Sequence, residues 1–296
     1  MQEKSIAVIG AGSWGTTLAI LLAKKGHNVV MWEYDPEQLA KLQADRSNEI
    51  YLPGAAFPEK LSVTGDQKAA VANADFIVTA VPSHVTRSVC ESLESLIVPQ
   101  QIVINVSKGI ENDSLKRMSE VIEETLNIPA DRISSLYGPS HAEEVSRGIP
   151  TAIVAASTNL DTARTVRDLF LTETFRVYSS TDIVGVELGG SLKNVVAIAA
   201  GICDGAGFGD NTKAALLTRA LVEVTRLGVA MGAQQETFSG LSGVGDLIVT
   251  CMSKHSRNRH VGEEIGRGKS LQTVLDEMVM VAEGVRTTKS VHQLFQ

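Results

Sequence analysis

The sequence predicts an α/β fold: a doubly wound sheet in the N-terminal part of the chain, then an all-helical C-terminal domain. Three observations carry this expectation. Short apolar runs alternate with helical patterns up to about Ser180, as in parallel strands joined by crossover helices. A glycine-rich turn, Gly10-Ala11-Gly12-Ser13-Trp14-Gly15, separates the first apolar run from the first helical pattern. Beyond Ser180 no convincing strand remains, and helical patterns with glycine or polar breaks take over. The expected domains are therefore residues 1–180 and 181–296, with a ligand cleft between them.

Taken in order, the first strand, 6–10, is the run Ile6-Ala7-Val8-Ile9 leading into the glycine turn. A helix over 14–25 follows, then a strand over 29–33 and a helix over 36–45, with Pro36 at its first position behind Asp35. Further strands are expected over 76–81, 102–106, 134–137, 151–156 and 176–179, interleaved with helices over 85–96, 114–126 and 160–169. The helical domain reads as 184–200, 212–231, 245–251, 259–265 and 271–278.

Composition narrows the function classes. A chain of 296 residues holds two cores, and 44% hydrophobic with 21% charged residues is ordinary for a globular protein. No apolar run approaches the roughly 20 residues that span a bilayer, and no export signal precedes Ile6, so membrane insertion is not expected. Cys90, Cys203 and Cys251 are scattered and odd in number, which favours free thiols in the cytoplasm and no metal site. A net charge of -7 argues against a nucleic-acid partner. An anionic substrate must then be caught by a local cluster of cations.

The glycine turn meets the context that a Rossmann-type dinucleotide site requires. Gly10 permits the tight turn, Gly12 lets backbone amides approach a pyrophosphate, and Gly15 allows close packing of helix on strand. Ser13 opens the helix whose positive end faces the anion. Trp14 serves either the core or the cofactor. Glu33, about 20 residues on, is placed to bind the adenosine ribose, or else is a solvated strand-end charge. Tyr34 beside it is a candidate for the adenine face.

Three further constellations point to chemistry. Ser107-Lys108-Gly109 and Gly138-Pro139-Ser140-His141-Ala142-Glu143 follow strands at the sheet's carboxyl edge, where ligands bind in doubly wound folds. Ser140 and Glu143 also have the spacing of a helix capping box. Lys193 and Asn194 interrupt the small, apolar segment Leu188-Gly189-Gly190-Ser191-Leu192, where burial would lower a lysine's pKa toward the range of proton transfer. His84 and His141 are alternative acid–base groups ranked below it. Asp246 and Thr250, at i and i+4 after Gly243-Val244-Gly245, share a helix face; Asp246 is either a cap or holds the Lys193 ammonium or a substrate hydroxyl. Ser256-Arg257-Asn258-Arg259 reads as a capped helix start with a fork-shaped phosphate receptor.

Together, Gly10–Gly15, Ser107–Gly109, Gly138–Ser140, Leu188–Asn194, Gly243–Leu247 and Ser256–Arg259 resemble, in order and spacing over nearly the whole chain, the bacterial NAD(P)-dependent sn-glycerol-3-phosphate dehydrogenases. The resemblance implies reversible reduction of dihydroxyacetone phosphate to glycerol 3-phosphate, for glycerophospholipid synthesis, by a cytoplasmic homodimer. It implies Lys193 as proton acceptor, supported by Lys108, Asp246, Asn194 and Thr250. Substrate contacts would come from Lys108, Gly138, Ser140, Lys193, Asp246, Ser256, Arg257 and Asn258. Cofactor contacts would come from Ser13, Trp14, Tyr34, Lys108, Ala142, Arg257, Val281 and Glu283, with Glu33 favouring NAD over NADP. Members of that family usually continue through further C-terminal helices where this sequence stops at Gln296, so either the protein is truncated or its tail lies beyond this sequence. A β-hydroxyacid dehydrogenase of the 6-phosphogluconate type is the alternative enzyme, and a non-catalytic dinucleotide-binding redox sensor the alternative of another class.

Overall fold

The computed structural model describes residues 2–278 and 280–294. Strands β1 (Ser5–Ile9) and β2 (Asn28–Trp32) are followed by a hairpin of β3 (Ser47–Asn48) and β4 (Leu52–Ala56), then by β5 (Leu61–Thr64) and β6 (Phe76–Thr79). The remaining strands are β7 (Ile102–Asn105), β8 (Ile133–Tyr137), β9 (Thr151–Ala156) and β10 (Phe175–Ser180). Apart from the hairpin, these form one eight-stranded sheet, β5-β2-β1-β6-β7-β8-β9-β10. The order reverses beside β1: the chain moves outward to β2 and β5, then returns to lay β6 on the other side. That switch opens a crevice at the carboxyl ends of β1 and β6.

The helices of this part are α1 (Ser13–Lys24), α2 (Pro36–Asp45), α3 (Gln67–Val71), α4 (Thr86–Leu93), α5 (Met118–Leu126), α6 (Ala142–Val145) and α7 (Leu160–Phe170). Both faces of the sheet are covered. Ile6 and Val8 join Leu18 and Leu22 of α1 and Val166 and Phe170 of α7 in one core. Ala7 and Ile9 join Val71, Cys90, Leu93 and Ile122 in the other. A strand buried on both faces needs apolar residues at every position, which is why β1 reads as a continuous run.

The expected parallel order holds from β5 through β8 and breaks at β9, which is antiparallel to β8, with β10 parallel to β9. The β8–β9 connection contains only the four-residue α6, so the chain turns back along the same edge. The sequence does not predict the hairpin, β5 or α3, which are too short for either periodicity to register. The helix expected over 114–126 begins only at Met118, because Leu115 takes φ 58° in a turn closed by the Ile110–Arg117 bridge.

After β10 come α8 (Ile183–Gly205), α9 (Asp210–Ala230), α10 (Asp246–Met252), α11 (Arg257–Gly266), α12 (Leu271–Asp276) and α13 (Glu283–Leu294). Helix α13 is a further element that periodicity missed. Helix α8 corrects the expectation about apolar runs: its 23 residues, with a mean hydropathy of 1.4, are long and apolar enough to span a bilayer. Here 78% of that stretch is buried inside the fold, as in a central core helix. Helices α9, α10, α11 and α13 all pack on it. Against α11 the approach is backbone to backbone, since a Cβ on Gly262 would strike the Ile198 carbonyl.

Candidate active site

The glycine turn sits at the crevice between β1 and β6. Gly10 has φ +113°, and a Cβ there would lie 2.8 Å from the Ala80 carbonyl oxygen. A Cβ on Gly15 would collide with the Gly10 carbonyl, so helix and strand pack as the motif requires. At Gly12 a Cβ would meet no protein atom within 4 Å, which leaves the start of α1 open to an anion. No side chain caps that helix end, so its first amides are available. Asn48 of the unforeseen hairpin holds the turn from behind, donating to the Ala11 carbonyl and the Thr16 hydroxyl at 2.8 Å each.

Trp14 is half-buried and tilted against Phe175, 6.4 Å between ring centroids, so it packs on the core. Glu33 directly follows β2 with only 6% of its surface exposed, which removes the solvated-charge reading. Its carboxylate accepts the Asp35 amide at 2.9 Å, and burial raises its pKa. Asp35 caps α2 through the Glu37 amide, and Tyr34 is 79% exposed. Ala142 starts α6 against α1, its carbonyl 3.5 Å from the Thr17 hydroxyl.

The strongest concentration of buried charge lies where α8 and α10 meet the sheet's carboxyl edge. Asp246, 1% exposed, accepts from Lys193 Nζ at 2.5 Å through one oxygen and from Lys108 Nζ at 2.7 Å through the other. Lys193 also donates to the Thr250 hydroxyl at 2.6 Å, and Lys108 to the Gly138 carbonyl at 3.0 Å. Asp246 thus partners lysines rather than capping α10, whose N-cap is Gly245. Burial, reinforced by the Lys108 ammonium and opposed by Asp246, lowers the Lys193 pKa to about 8. Asn194, the next residue on α8, is buried. A lysine partly deprotonated near neutrality and anchored in a cleft is built to exchange a proton.

Ser140 does not form the expected capping box. His141 occupies the cap position of α6, and the Ser140 hydroxyl instead donates to the Gly138 carbonyl at 3.0 Å. A bend at Gly138, with φ +151°, brings that hydroxyl back toward the carbonyl shared with Lys108. His141 lies across from His255, 5.7 Å between ring centroids, and burial followed by the Lys193 charge lowers its pKa. His84 is likewise lowered, by burial and then by Arg286. Both shifts work against the charged imidazolium.

Ser256 caps α11, accepting the Arg259 amide at 3.2 Å. The Arg257 side chain beside it is exposed, and no hydrogen bond engages its guanidinium among the described residues. Arg259 does not join a phosphate receptor: it is bound to Asp204 at 2.7 Å and to Glu263. Asn258 spends its carbonyl oxygen on the Gly284 amide, at 2.9 Å, at the start of α13. Glu283 accepts the Ser83 amide at 2.9 Å and the Ser83 hydroxyl, which ties α13 to the turn after β6. Val281 is 38% exposed just before it.

Two models of one family cover most of the chain: the N-terminal region of NAD-dependent glycerol-3-phosphate dehydrogenase matches residues 5–163, and the C-terminal region matches 182–296. This chain belongs to the NAD-dependent glycerol-3-phosphate dehydrogenase family. Among curated relatives, glycerol-3-phosphate dehydrogenase [NAD(P)+] of Prosthecochloris aestuarii is 57% identical over 290 residues, covering 98% of this chain and 87% of that protein. The protein of the same name from Chlorobium luteolum is 54% identical with the same coverage. Among solved structures, glycerol-3-phosphate dehydrogenase from Coxiella burnetii superposes with a TM-score of 0.94 at 38% identity, over 99% of this chain and 89% of that one. These likenesses support the dehydrogenase of glycerol phosphate over the hydroxyacid and sensor alternatives.

Sequence reading missed several residues of this family member's site region: Asn48, Ser83, Asn105, Tyr137 and Glu187. Only Glu187 left a signal, as an acid in the same apolar segment as Lys193.

Proposed function

We propose that this protein catalyses reversible, NAD(P)H-dependent reduction of dihydroxyacetone phosphate to sn-glycerol 3-phosphate. The observation that carries the reading is the buried Lys193–Asp246–Lys108 arrangement in a chain of this family. The open Gly12 and the uncapped start of α1 fit a pyrophosphate, and Ser13, Trp14, Tyr34, Ala142, Arg257, Val281 and Glu283 would complete the dinucleotide site. When bound, the nicotinamide supplies or accepts the hydride at substrate C2. Buried Glu33 at the end of β2 would take the ribose hydroxyls and repel a 2′-phosphate, so NADH is the favoured cofactor.

Lys193 Nζ gives a proton to the C2 oxygen on reduction and takes it back on oxidation. Asp246 and Thr250 fix the direction of Nζ, while Asn194 stands beside it on α8. Lys108, with Gly138 and Ser140, would hold the polar end of the substrate near that oxygen. Arg257, whose guanidinium is free of hydrogen bonds among the described residues, would clamp the phosphate at the start of α11, with Ser256 and Asn258 alongside. The reading further includes a two-domain division near residue 181, a cytoplasmic homodimer, and a supply role for glycerophospholipid synthesis. A substrate panel tests the reading: dihydroxyacetone phosphate against unphosphorylated dihydroxyacetone and a set of β-hydroxyacids, each with NADH and NADPH. Turnover confined to the phosphate ester is expected. Equal turnover of a hydroxyacid would overturn it.

A further inference from the structure

Lys108 and Lys193 reach Asp246 from opposite sides, one from the loop after β7 and the other from α8. Something must fix that loop against that helix. Tyr137, fully buried at the end of β8, touches both. The Lys108 ammonium lies over its ring, 5.6 Å from the centroid. One edge of the ring meets α8 at Gly190, where a Cβ would come within 2.5 Å of it. Gly190 is three residues from both Glu187 and Lys193, so it neighbours each of them on the surface of the helix.

The Tyr137 hydroxyl donates to the carbonyl of Ser107, the residue before Lys108. It accepts from Asn105 Nδ2 at 2.9 Å, while Asn105 Oδ1 accepts the Ser107 amide at 3.0 Å. Both peptide groups of Ser107 are thereby held. Asn105 Nδ2 lies 3.2 Å from a carboxylate oxygen of Glu187. Glu187, 1% exposed, also accepts from the Ser135 hydroxyl at 2.8 Å, the Ser119 amide at 3.0 Å and hydroxyl at 2.6 Å, and Arg117 at 2.7 Å. One carboxylate on α8 thus gathers donors from β7, β8 and the start of α5. Buried networks of this completeness hold a single arrangement of the elements they join.

We propose that Tyr137 is a positioning residue: anchored through Asn105 to the buried Glu187 carboxylate, it sets the Lys108 loop at its working distance from Lys193 on α8. The inference rests on the proposed roles of those two lysines. The groups facing Lys193 are Asp246, Lys108, His141 and Cys251. Loosening the Lys108 loop withdraws a like charge and leaves Asp246 to Lys193 alone, and both changes favour the protonated lysine.

The test is Tyr137→Phe in the full chain, which keeps the ring and removes the hydroxyl. For dihydroxyacetone phosphate reduction, kcat should fall about ten- to hundredfold with the KM for NADH within about twofold of the parent, since small misplacements of this order cost up to about 10²-fold. In glycerol 3-phosphate oxidation, which needs neutral Lys193, the pH midpoint should move upward. A folded variant with parental kcat and midpoint, altered only in stability, overturns the proposal. Should Tyr137→Phe not fold, Ser135→Ala removes one donor to Glu187 and is expected to lower kcat at least threefold with the same direction of midpoint shift; parental values in that variant likewise overturn the proposal. Lys193→Met run alongside separates the two levels. If it is inactive while Tyr137→Phe behaves as parent, only the positioning role fails; if it retains activity, the reading beneath it fails.

Discussion

Replacing Lys193 by methionine should destroy activity and yet not weaken the fold. Lys193 is 7% exposed, and its pKa is brought from 10.5 to about 8, first by burial. At about 1.4 kcal/mol for each pH unit, the charged form costs the folded state about 3 kcal/mol. Below pH 8 the lysine is protonated in both folded and unfolded chains, and that cost is present in full. Between 8 and 10.5 the folded chain releases the proton first, so the unfolded state binds more protons and stability rises with pH. Above 10.5 the difference is gone. Methionine has a similar volume and no charge, and Asp246 keeps Lys108 at 2.7 Å. Denaturant unfolding of Lys193→Met at pH 7 should therefore show equal or greater stability, by up to about 3 kcal/mol, with the gain vanishing as the pH approaches 10.5. Turnover of dihydroxyacetone phosphate should drop by roughly 10²–10⁴, the usual contribution of a positioned acid–base group. Two results would refute the reasoning. Activity within tenfold of the parent removes Lys193 as proton carrier. A loss of about 3–5 kcal/mol at pH 7, as when a buried structural ion pair is broken, makes the lysine a structural partner of Asp246 instead.

Arg257→Lys should weaken substrate binding at least tenfold, because a point ammonium loses the planar fork and a charge-assisted hydrogen bond contributes about 1.5–3 kcal/mol; an unchanged KM and kcat would take Arg257 out of the phosphate site. Glu33→Ser should raise kcat/KM with NADPH by roughly 5- to 150-fold, about 1–3 kcal/mol, while lowering it with NADH. A parent enzyme that already uses both cofactors equally would show that the buried Glu33 carboxylate does not face the ribose.

The sequence by itself determined the local features. Continuous apolar runs marked the strands buried on both faces, and Gly10, Gly12 and Gly15 marked a turn whose backbone geometry admits little else. Lys193 in an apolar helical segment announced a buried charge in need of a partner, and that partner is one of the roles the sequence allows Asp246. These are effects of spacing and of burial, which act within a few turns of chain. Tertiary structure decided what depends on distant residues meeting. It turned β9 antiparallel to β8, because the short connection through α6 could not cross the sheet. It took Arg259 away from the phosphate receptor by pairing it with Asp204, 55 residues earlier in the chain. It brought Asn48 beneath the glycine turn, and joined Glu187 to partners 52 to 82 residues away. No periodicity encodes such contacts, since a buried polar side chain is specified by the donors that surround it after folding rather than by its neighbours in sequence.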